Sequence, residues 1–481
     1  MSTNTKQYDF VIIGGGIGGY TAAVRAAQLG RTAAIVEKDQ LGGTCLHKGC
    51  IPSKAYLKSA ELYHAMKNSE EYGMQVEGLT FDFSKVIKRK QAIVDQLHQA
   101  VENLIRSHRI DIYFSRGRVM GPSIFSPQSG AVALETDEEE GMTLLPKYLI
   151  IASGSKPAVI PGLEPDGQYI LNSDQAMQME KLPKSMLIIG GGAIGIEWAS
   201  LLNDFGVEVT IVEAMPQLAP NEDEQISREL RRLLEVRGVR VLTDARIQPD
   251  TMQIENHAVQ IEAESKGERI ALAADQVLVC VGRTPNTDQL GLENTDVEVE
   301  NGRIQVNRYF QTAESHIYAV GDVIGGVQLA HAAAREGIAA VEHALGLPVA
   351  EMRAELIPRC IYSRPEVASV GMTEKQAKER GYRAKTAVIP FRAIGKAWVS
   401  GETDGFVKVV ADEASQDILG VHMIGEKVTE MISEATLAQI LDATPWEVSQ
   451  AVHPHPSLSE ALFEAMAAAS MMISKPDESA K

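Results

Sequence analysis

Runs of apolar, β-branched residues alternate along this chain with stretches whose apolar positions recur at helical spacing, and glycines stand at the changeovers. Residues 9–13 read as a strand that runs straight into Gly14-Gly15-Gly16-Ile17-Gly18-Gly19. A helical pattern follows over residues 20–29 and is closed by Gly30; a second strand, 32–36, ends at Glu37. The same order recurs as a strand over 186–189, the turn Gly190-Gly191-Gly192-Ala193-Ile194-Gly195, a helix to about Phe205 stopped by Gly206, and a strand ending at Glu213. Gly14 and Gly190, Gly30 and Gly206, and Glu37 and Glu213 are each separated by 176 residues. One glycine-rich turn alone says little. Two complete strand–turn–helix–strand–acid units with a single internal spacing predict two dinucleotide-binding domains.

Elsewhere the pattern marks boundaries. Residues 149–154 form a buried strand running into a loop, and Pro157, Pro161 and Pro165 mark an irregular connection where the first domain ends. Another apolar strand, 277–281, is followed by Gly282-Arg283-Thr284-Pro285. After Leu347-Pro348 the character changes to strands at 406–410 and 418–423 and then a helix-rich end. The acidic stretch 136–141 reads as a hairpin tip, and residues 474–481 as a polar, disordered tail. The expected domains are therefore 1–150, 151–280, 281–350 and 351–473.

Each turn glycine has a physical task. Gly14 and Gly190 permit the tight turn, Gly16 and Gly192 let backbone approach a pyrophosphate, and Gly19 and Gly195 let helix and strand pack closely. The pyrophosphate then meets a helix N-terminus, where amides and dipole favour an anion. Glu37 and Glu213 stand where a carboxylate accepts hydrogen bonds from a ribose diol; at the second site Glu213 would repel a 2′-phosphate and so favours NAD over NADP. Two such sites in one chain suit one bound and one exchanging nucleotide, a flavin relay with a nicotinamide partner. Tyr318-Ala319-Val320-Gly321-Asp322, an acid at the end of an apolar strand, fits a contact to the ribityl or pyrophosphate region, and equally a plain strand-terminal turn.

Composition adds exclusions. The net charge of −18 over 481 residues argues against a nucleic-acid partner. No signal peptide and no apolar run long enough to span a bilayer are visible, so the expected setting is cytoplasmic, away from membranes. Four cysteines, Cys45, Cys50, Cys280 and Cys360, are too few for a disulfide framework in a chain of this size, and just the first two are close together.

Those two lie in Gly42-Gly43-Thr44-Cys45-Leu46-His47-Lys48-Gly49-Cys50-Ile51-Pro52-Ser53-Lys54. Positions five apart in a regular helix have Cα atoms about 8.6 Å apart, beyond the roughly 7 Å limit for a disulfide. Bridging therefore needs a distorted turn, which Gly49 and Pro52 suit. So short a loop gains little from closure, and catalysis suits the pair better than stapling. A helix start here, or Lys48 or Lys54, would lower the thiol pKa. Two free thiols or half a metal site are the other readings; His47 is the sole nearby extra ligand, and no metal is expected.

The second constellation is His453-Pro454-His455-Pro456-Ser457-Leu458-Ser459-Glu460. The prolines hold the histidines in an extended segment, and a helix starts near Ser457. Dithiol oxidation needs a base that works near neutral pH, which histidine provides, and a carboxylate can orient it. Ser457-x-x-Glu460 is also a capping box, whose glutamate would bond backbone instead, and both histidines read equally well as loop residues.

Taken together these motifs closely resemble, over essentially the whole chain, the flavin-dependent pyridine nucleotide–disulfide oxidoreductases, and within them the members that oxidise protein-bound dihydrolipoamide with NAD. The resemblance implies an α/β fold: two Rossmann-like domains for FAD and NAD, a central segment completing the FAD site and a C-terminal α+β dimerisation domain. It implies one non-covalent FAD per subunit. It makes Cys45 the interchange thiol, Cys50 the thiol next to the flavin, His455 the base and Glu460 its orienting acid; Lys54 lies beside the flavin and pairs with Glu197. Read alone, Glu197 is a first-turn helix acid favoured by the dipole. By the same resemblance Glu37, Gly43, Thr44, Gly117, Ser153, Gly154 and Asp322 join the FAD contacts, and Glu213, Gly282 and Arg283 those to NAD.

The base is implied to reach the partner subunit's site, hence a homodimer. The expected partner is a lipoylated acyltransferase core with its peripheral-subunit-binding domain, or a glycine-cleavage lipoyl protein, since no lipoyl module precedes Tyr8. Ser153, Ser457 and Pro454 replace the family's usual Thr, Thr and Ala without removing a functional group. A glutathione-type reductase would carry basic residues where Glu213 stands, and a mercury-reducing relative a cysteine pair beyond Cys360. A merely structural flavoprotein would not need Cys45, Cys50, His455 and Glu460 together.

Overall fold

The computed structural model describes residues 5–122, 128–135 and 141–473. The acidic stretch 136–140 and the tail 474–481 lie outside the described residues. The chain divides into two compact units. The first comprises Met1–Ala55, Lys85–Ala158 and Arg283–Ala354, the second Tyr56–Ser84, Val159–Gly282 and Glu355–Lys481.

In the first unit, apolar β-branched runs without polar alternation form strands buried on both faces, as parallel sheets require. Thr5–Ile13 lies between Ala33–Glu37 and Thr143–Ile151, all parallel, with Asp111–Phe114 beyond one side and Ile317–Ala319 beyond the other. The antiparallel strands Ala131–Glu135 and Arg116–Met120 extend the path. Phe10, Ile12, Ile35 and Ile150 pack under the helices on one face, and Val11, Ile13, Val36 and Ile151 form the core of the other. The helix Ile17–Gln28 buries Ala22, Ala23 and Ala26, small residues that bring it close to the sheet.

The second unit repeats the design with five parallel strands in the order Arg240–Leu242, Glu208–Val212, Ser185–Ile189, Gln276–Val279 and Ile170–Asn172. An antiparallel meander, Ala245–Glu255, Ala258–Ser265 and Glu268–Ala274, is inserted between Arg240–Leu242 and Gln276–Val279. Its C-terminal part is a five-stranded antiparallel sheet ordered Arg359–Ile361, Glu366–Gly371, Ile418–Gly425, Phe406–Asp412 and Ala384–Pro390. The helices Val428–Ile440 and Glu460–Ile473 share one core with that sheet. Two dinucleotide-type α/β sheets and a C-terminal α+β region match the expected fold class. Among the described residues no helix is long and apolar enough to cross a membrane.

Candidate active site

The two glycine turns repeat down to single hydrogen bonds. Gly14 N donates to Val36 O at 2.8 Å, and Gly190 N to Val212 O at 2.9 Å. A Cβ on Gly19 would land on the carbonyl oxygen of Gly14, and one on Gly195 on that of Gly190, so helix and strand touch where no side chain fits. Glu37 accepts from Gly15 N at 2.6 Å and Asp39 N at 2.8 Å. Glu213 accepts from Gly191 N at 2.6 Å and Met215 N at 2.7 Å. Each carboxylate is fixed through one bond per oxygen, and every oxygen keeps a further acceptor site for a ribose hydroxyl. The helices begin at N-caps Gly16 and Gly192, which offer no side-chain cap to their free amides. A Cβ on Gly192 would meet nothing within 4 Å, and one on Gly16 just the Gly43 Cα at 3.9 Å. Free helix amides, open space beside them and a fixed acid at the end of the next strand fit a dinucleotide at each turn.

The cysteine segment is stapled to the first turn. Gly42 N donates to Gly15 O at 2.8 Å, and a Cβ on Gly43 would come within 2.7 Å of Gly16 Cα. The short helix Gly43–His47 carries exposed Thr44 and then Cys45; the chain breaks at Lys48-Gly49, and a second helix starts at Cys50 and runs to Lys67. The distorted turn expected between the cysteines is this break. A Cβ on Gly49 would meet Thr44 O at 3.1 Å and Cys45 Cα at 3.4 Å. Both cysteines are half-buried thiols in hydrogen-bond contact. The pKa of Cys45 is raised, first by its hydrogen bond to Cys50, then by burial and by a like charge on Cys50; Lys54 pulls the other way. This differs from the expected lowering. The longer helix starts at Cys50, where its N-terminal amides favour a thiolate. His47 Nε2 and His98 Nδ1 both contact the Leu41 carbonyl oxygen, at 2.8 and 3.1 Å. Among the described residues no three Cys, His, Asp or Glu side chains converge as a metal site.

The remaining FAD candidates lie in the first unit. Asp322 follows the strand Ile317–Ala319 in a tight turn, where its Oδ2 accepts from the Ser155 hydroxyl. Arg283 Nε donates to Ser155 Oγ at 2.7 Å and lies 3.8 Å from Asp322 Oδ2. Arg283, expected at NAD, thus has its guanidinium beside Asp322. Ser153 donates to Asn286 O at 2.7 Å, and Gly154 follows it with space where a Cβ would stand. Gly282, expected at NAD, likewise has open space there but belongs to the second unit. Gly117 lies in a strand where a Cβ would press on Val36 and Val132, both apolar core residues, so packing alone accounts for it. Sequence reasoning missed Glu336, whose buried carboxylate accepts from Gly321 N at 2.6 Å and so fixes the turn that presents Asp322. A glutamate inside an alanine-rich helix gives no signal of that task.

In the second unit His455 and His453 differ sharply. His453 is 8% exposed and uses both ring nitrogens internally, Nε2 with Glu434 at 2.8 Å and Nδ1 with Ala451 O at 3.0 Å. His455 is 78% exposed and uses Nδ1 alone, bonded to Glu460 Oε1 at 2.8 Å. Glu460 Oε2 accepts from Ser457 N at 2.9 Å. The carboxylate therefore orients the imidazole and caps backbone at once, one oxygen for each. The forward half of the capping box is not made, because the buried Ser457 Oγ has no partner among the described residues. The helix starts at Glu460, slightly later than expected. Glu197 needs a correction: in the helix Ala193–Asp204 it is the fifth residue, past the first turn, and it is buried with Oε1 accepting from Tyr362 N at 3.0 Å. The dipole reading gives way to a specific backbone contact.

Residues 8–337 match the family described as pyridine nucleotide-disulphide oxidoreductase, and residues 357–466 its dimerisation domain. The chain is 55% identical to dihydrolipoyl dehydrogenase of Bacillus subtilis (strain 168), covering 96% of this chain and 98% of that protein. It is 40% identical to the enzyme of that name from Zymomonas mobilis, again over 96% and 98%. Among solved structures, LpdA from Mycobacterium tuberculosis superposes with a TM-score of 0.88 at 25% identity, covering 96% of this chain and 99% of that one. The Cu(II) complex of the HOCl-induced flavoprotein disulfide reductase RclA from Escherichia coli gives 0.84 at 28%, with the same coverage.

Proposed function

This chain belongs to the pyridine nucleotide-disulphide oxidoreductase family, and from that premise we propose that it oxidises protein-bound dihydrolipoamide to lipoamide and reduces NAD to NADH. The observation that carries the reading is the Cys45–Cys50 pair, in mutual contact at a helix start and stapled by Gly42-Gly43 to the first dinucleotide turn.

Gly14, Gly16, Gly19, Glu37, Gly43, Thr44, Lys54, Ser153, Gly154 and Asp322 would hold FAD, with Arg283 steadying Asp322; Gly190, Gly192, Gly195, Glu213 and Gly282 would hold NAD. Bound there, FAD would supply two-electron transfer between the cysteine pair and NAD. In the oxidised enzyme Cys45 and Cys50 are a disulfide. His455 Nε2 takes a proton from the incoming dithiol; the resulting thiolate attacks Cys45 Sγ, and Cys50 leaves as a thiolate. The second substrate thiol, deprotonated in turn, displaces Cys45 and closes the lipoamide disulfide. The pair has then gained two electrons, with the proton on Cys45 and the charge on Cys50, where the helix N-terminus favours it. Lys54 adds positive charge near the pair, since its field lowers the Cys45 pKa. Reoxidation of the pair would restore the disulfide, its two electrons and the Cys45 proton amounting to the hydride that NAD would take up, while the second substrate proton passes from His455 to solvent.

The chain forms a homodimer through its dimerisation domain, and His455 serves the partner subunit's cysteines. The lipoyl lysine comes from an acyltransferase core that binds this chain through its peripheral-subunit-binding domain, or from a glycine-cleavage lipoyl protein, in the cytoplasm. A steady-state assay with NAD and dihydrolipoamide, run beside NADPH and oxidised glutathione, tests the reading. Rapid NADH formation with the first pair alone is expected. Turnover with the second pair alone would overturn it, leaving a glutathione-type reductase.

A further inference from the structure

The C-terminal sheet carries a row of polar residues that the reaction does not use. Arg359 stands opposite Ser369, Ser369 opposite His422, and His422 opposite Lys408, on four adjacent strands. Directly opposed residues share a face, and their neighbours Ala368, Val370, Val407, Val409, Val421 and Met423 point the other way, into the helix-covered core. Ser369, His422 and Lys408 are buried, and buried polar groups persist where partners hold them.

The partners are two consecutive acids. Arg359 Nε donates to Glu222 Oε1 at 3.0 Å and its Nη2 to Ser369 Oγ at 3.0 Å, while the Ser369 hydroxyl donates to Glu222 Oε2. Lys408 Nζ donates to both Asp223 oxygens, at 2.9 and 3.0 Å, and to Glu374 at 2.8 Å. His422 Nε2 donates to Met372 O at 3.0 Å between them.

Glu222 and Asp223 end the loop that starts at Glu213, and Asp223 caps the helix Glu224–Val236 through Gln225 N at 3.0 Å. In between, the loop doubles back onto the second glycine turn: Ala219 N donates to Gly191 O at 2.7 Å. Ala219 does so at φ +44°, a conformation that side-chain-bearing residues rarely adopt and that persists where the surroundings fix it. Gln217 Nε2 ties the loop to Glu222 O at 3.3 Å and Ser227 Oγ at 3.2 Å. The loop thus touches Gly191 at one end, as does Glu213, and is clamped at the other by the row.

We propose that Arg359, Ser369 and Lys408 are positioning residues for the nicotinamide nucleotide: by clamping Glu222-Asp223 they fix the loop that holds Gly191 and Glu213 in binding geometry. The dimerisation domain thereby sets nucleotide affinity at the second turn. This rests on the reading of that turn as the NAD site.

The test is calorimetric titration of the FAD-loaded dimer with NAD, alongside KM values for both substrates, for Ser369→Ala, Lys408→Met and Lys408→Arg. Ser369→Ala and Lys408→Met are expected to weaken NAD binding between about twofold and thirtyfold, the range of couplings carried through packed networks. KM for NAD rises by the same factor while kcat and KM for dihydrolipoamide hold, and Lys408→Arg restores much of the affinity. If Lys408→Met fails to fold, Ser369→Ala, which removes no charge, carries the test. Unchanged NAD affinity in folded variants overturns the latch, as does a parallel loss for both substrates. A wild-type protein that binds no NAD overturns the latch and the reading of the second turn together.

Discussion

A carboxylate has two oxygens, and Glu460 uses each for a different purpose. Its bond to Nδ1 fixes the proton there, because an ionised acid can just accept, and leaves Nε2 of His455 as the base. The carboxyl is held below its ordinary range first by His455 and then by Ser457 N, so it is ionised wherever the enzyme works. His455→Ala should fold and dimerise yet lose about 10²–10⁴-fold in kcat with dihydrolipoamide; wild-type rates would make His455 a plain loop residue. Cys50→Ser should keep FAD, seen by its visible absorption, and show no dithiol turnover; near-normal turnover would remove the disulfide step. The residue types at this scale were legible from spacing, but their contacts were not. Capping and orienting stood as rivals for Glu460 because spacing cannot say where each oxygen points. Glu197 read as a dipole acid because a helix start cannot be placed to one residue from its apolar pattern. Cys45 and Cys50 carried one pKa expectation between them, although their mutual hydrogen bond and like charge raise the pKa of Cys45.

At the scale of elements the 176-residue repeat was the most legible feature, since glycines mark each turn and apolar runs mark each strand. It proved deeper than the pattern, extending to matched bonds from Gly15 N and Gly191 N to the two acids. Glu213 therefore shapes the turn, a task beyond the selection of nucleotide proposed for it. Glu213→Arg should lower efficiency with NAD and shift the NADP-to-NAD ratio of kcat/KM by on the order of tenfold; an unchanged ratio would mean that Glu213 does not meet the ribose. The meander Ala245–Ala274 gave no comparable signal. Its strands are half exposed and rich in charge, so their apolar positions are diluted, and of its two tight turns, Asn256-His257 and Lys266-Gly267, just the second carries a glycine. The polar row was invisible for the opposite reason: Ser369, His422 and Lys408 each sit singly inside apolar strands and meet through pairing across the sheet.

For the whole molecule, the buried charges set the response to acid. Burial is the main cause that pushes the pKa of His422 down, against Asp223 and Glu222, which raise it, and alongside Arg359, which lowers it. A histidine kept neutral in the fold but titrating near 6.5 when unfolded adds stability above that pH and loses it as the pH falls. Glu374 is held low first by Lys378 and then by Lys408, so its share is lost further down, from the ordinary carboxylate range to below it. Thermal melts should show Tm falling from about pH 6.5 downwards, and His422→Gln should flatten the first part of that fall; an identical slope would assign it to other groups. The union of the two halves of the chemistry rests on the family resemblance and on no local pattern. Cys45 and Cys50 belong to one unit, and His455 and Glu460 to the other, far along the chain. In the proposed reaction they act as one site across the dimer, and coexpression tests this directly. A mixed dimer of one Cys50→Ser subunit and one His455→Ala subunit contains one intact pairing if His455 serves its partner, and none if it serves its own chain. Purified by two different tags and assayed with NAD and dihydrolipoamide, that dimer is predicted to show roughly half the wild-type rate, the share of its single intact site. Activity no higher than that of either mutant homodimer would contradict the account.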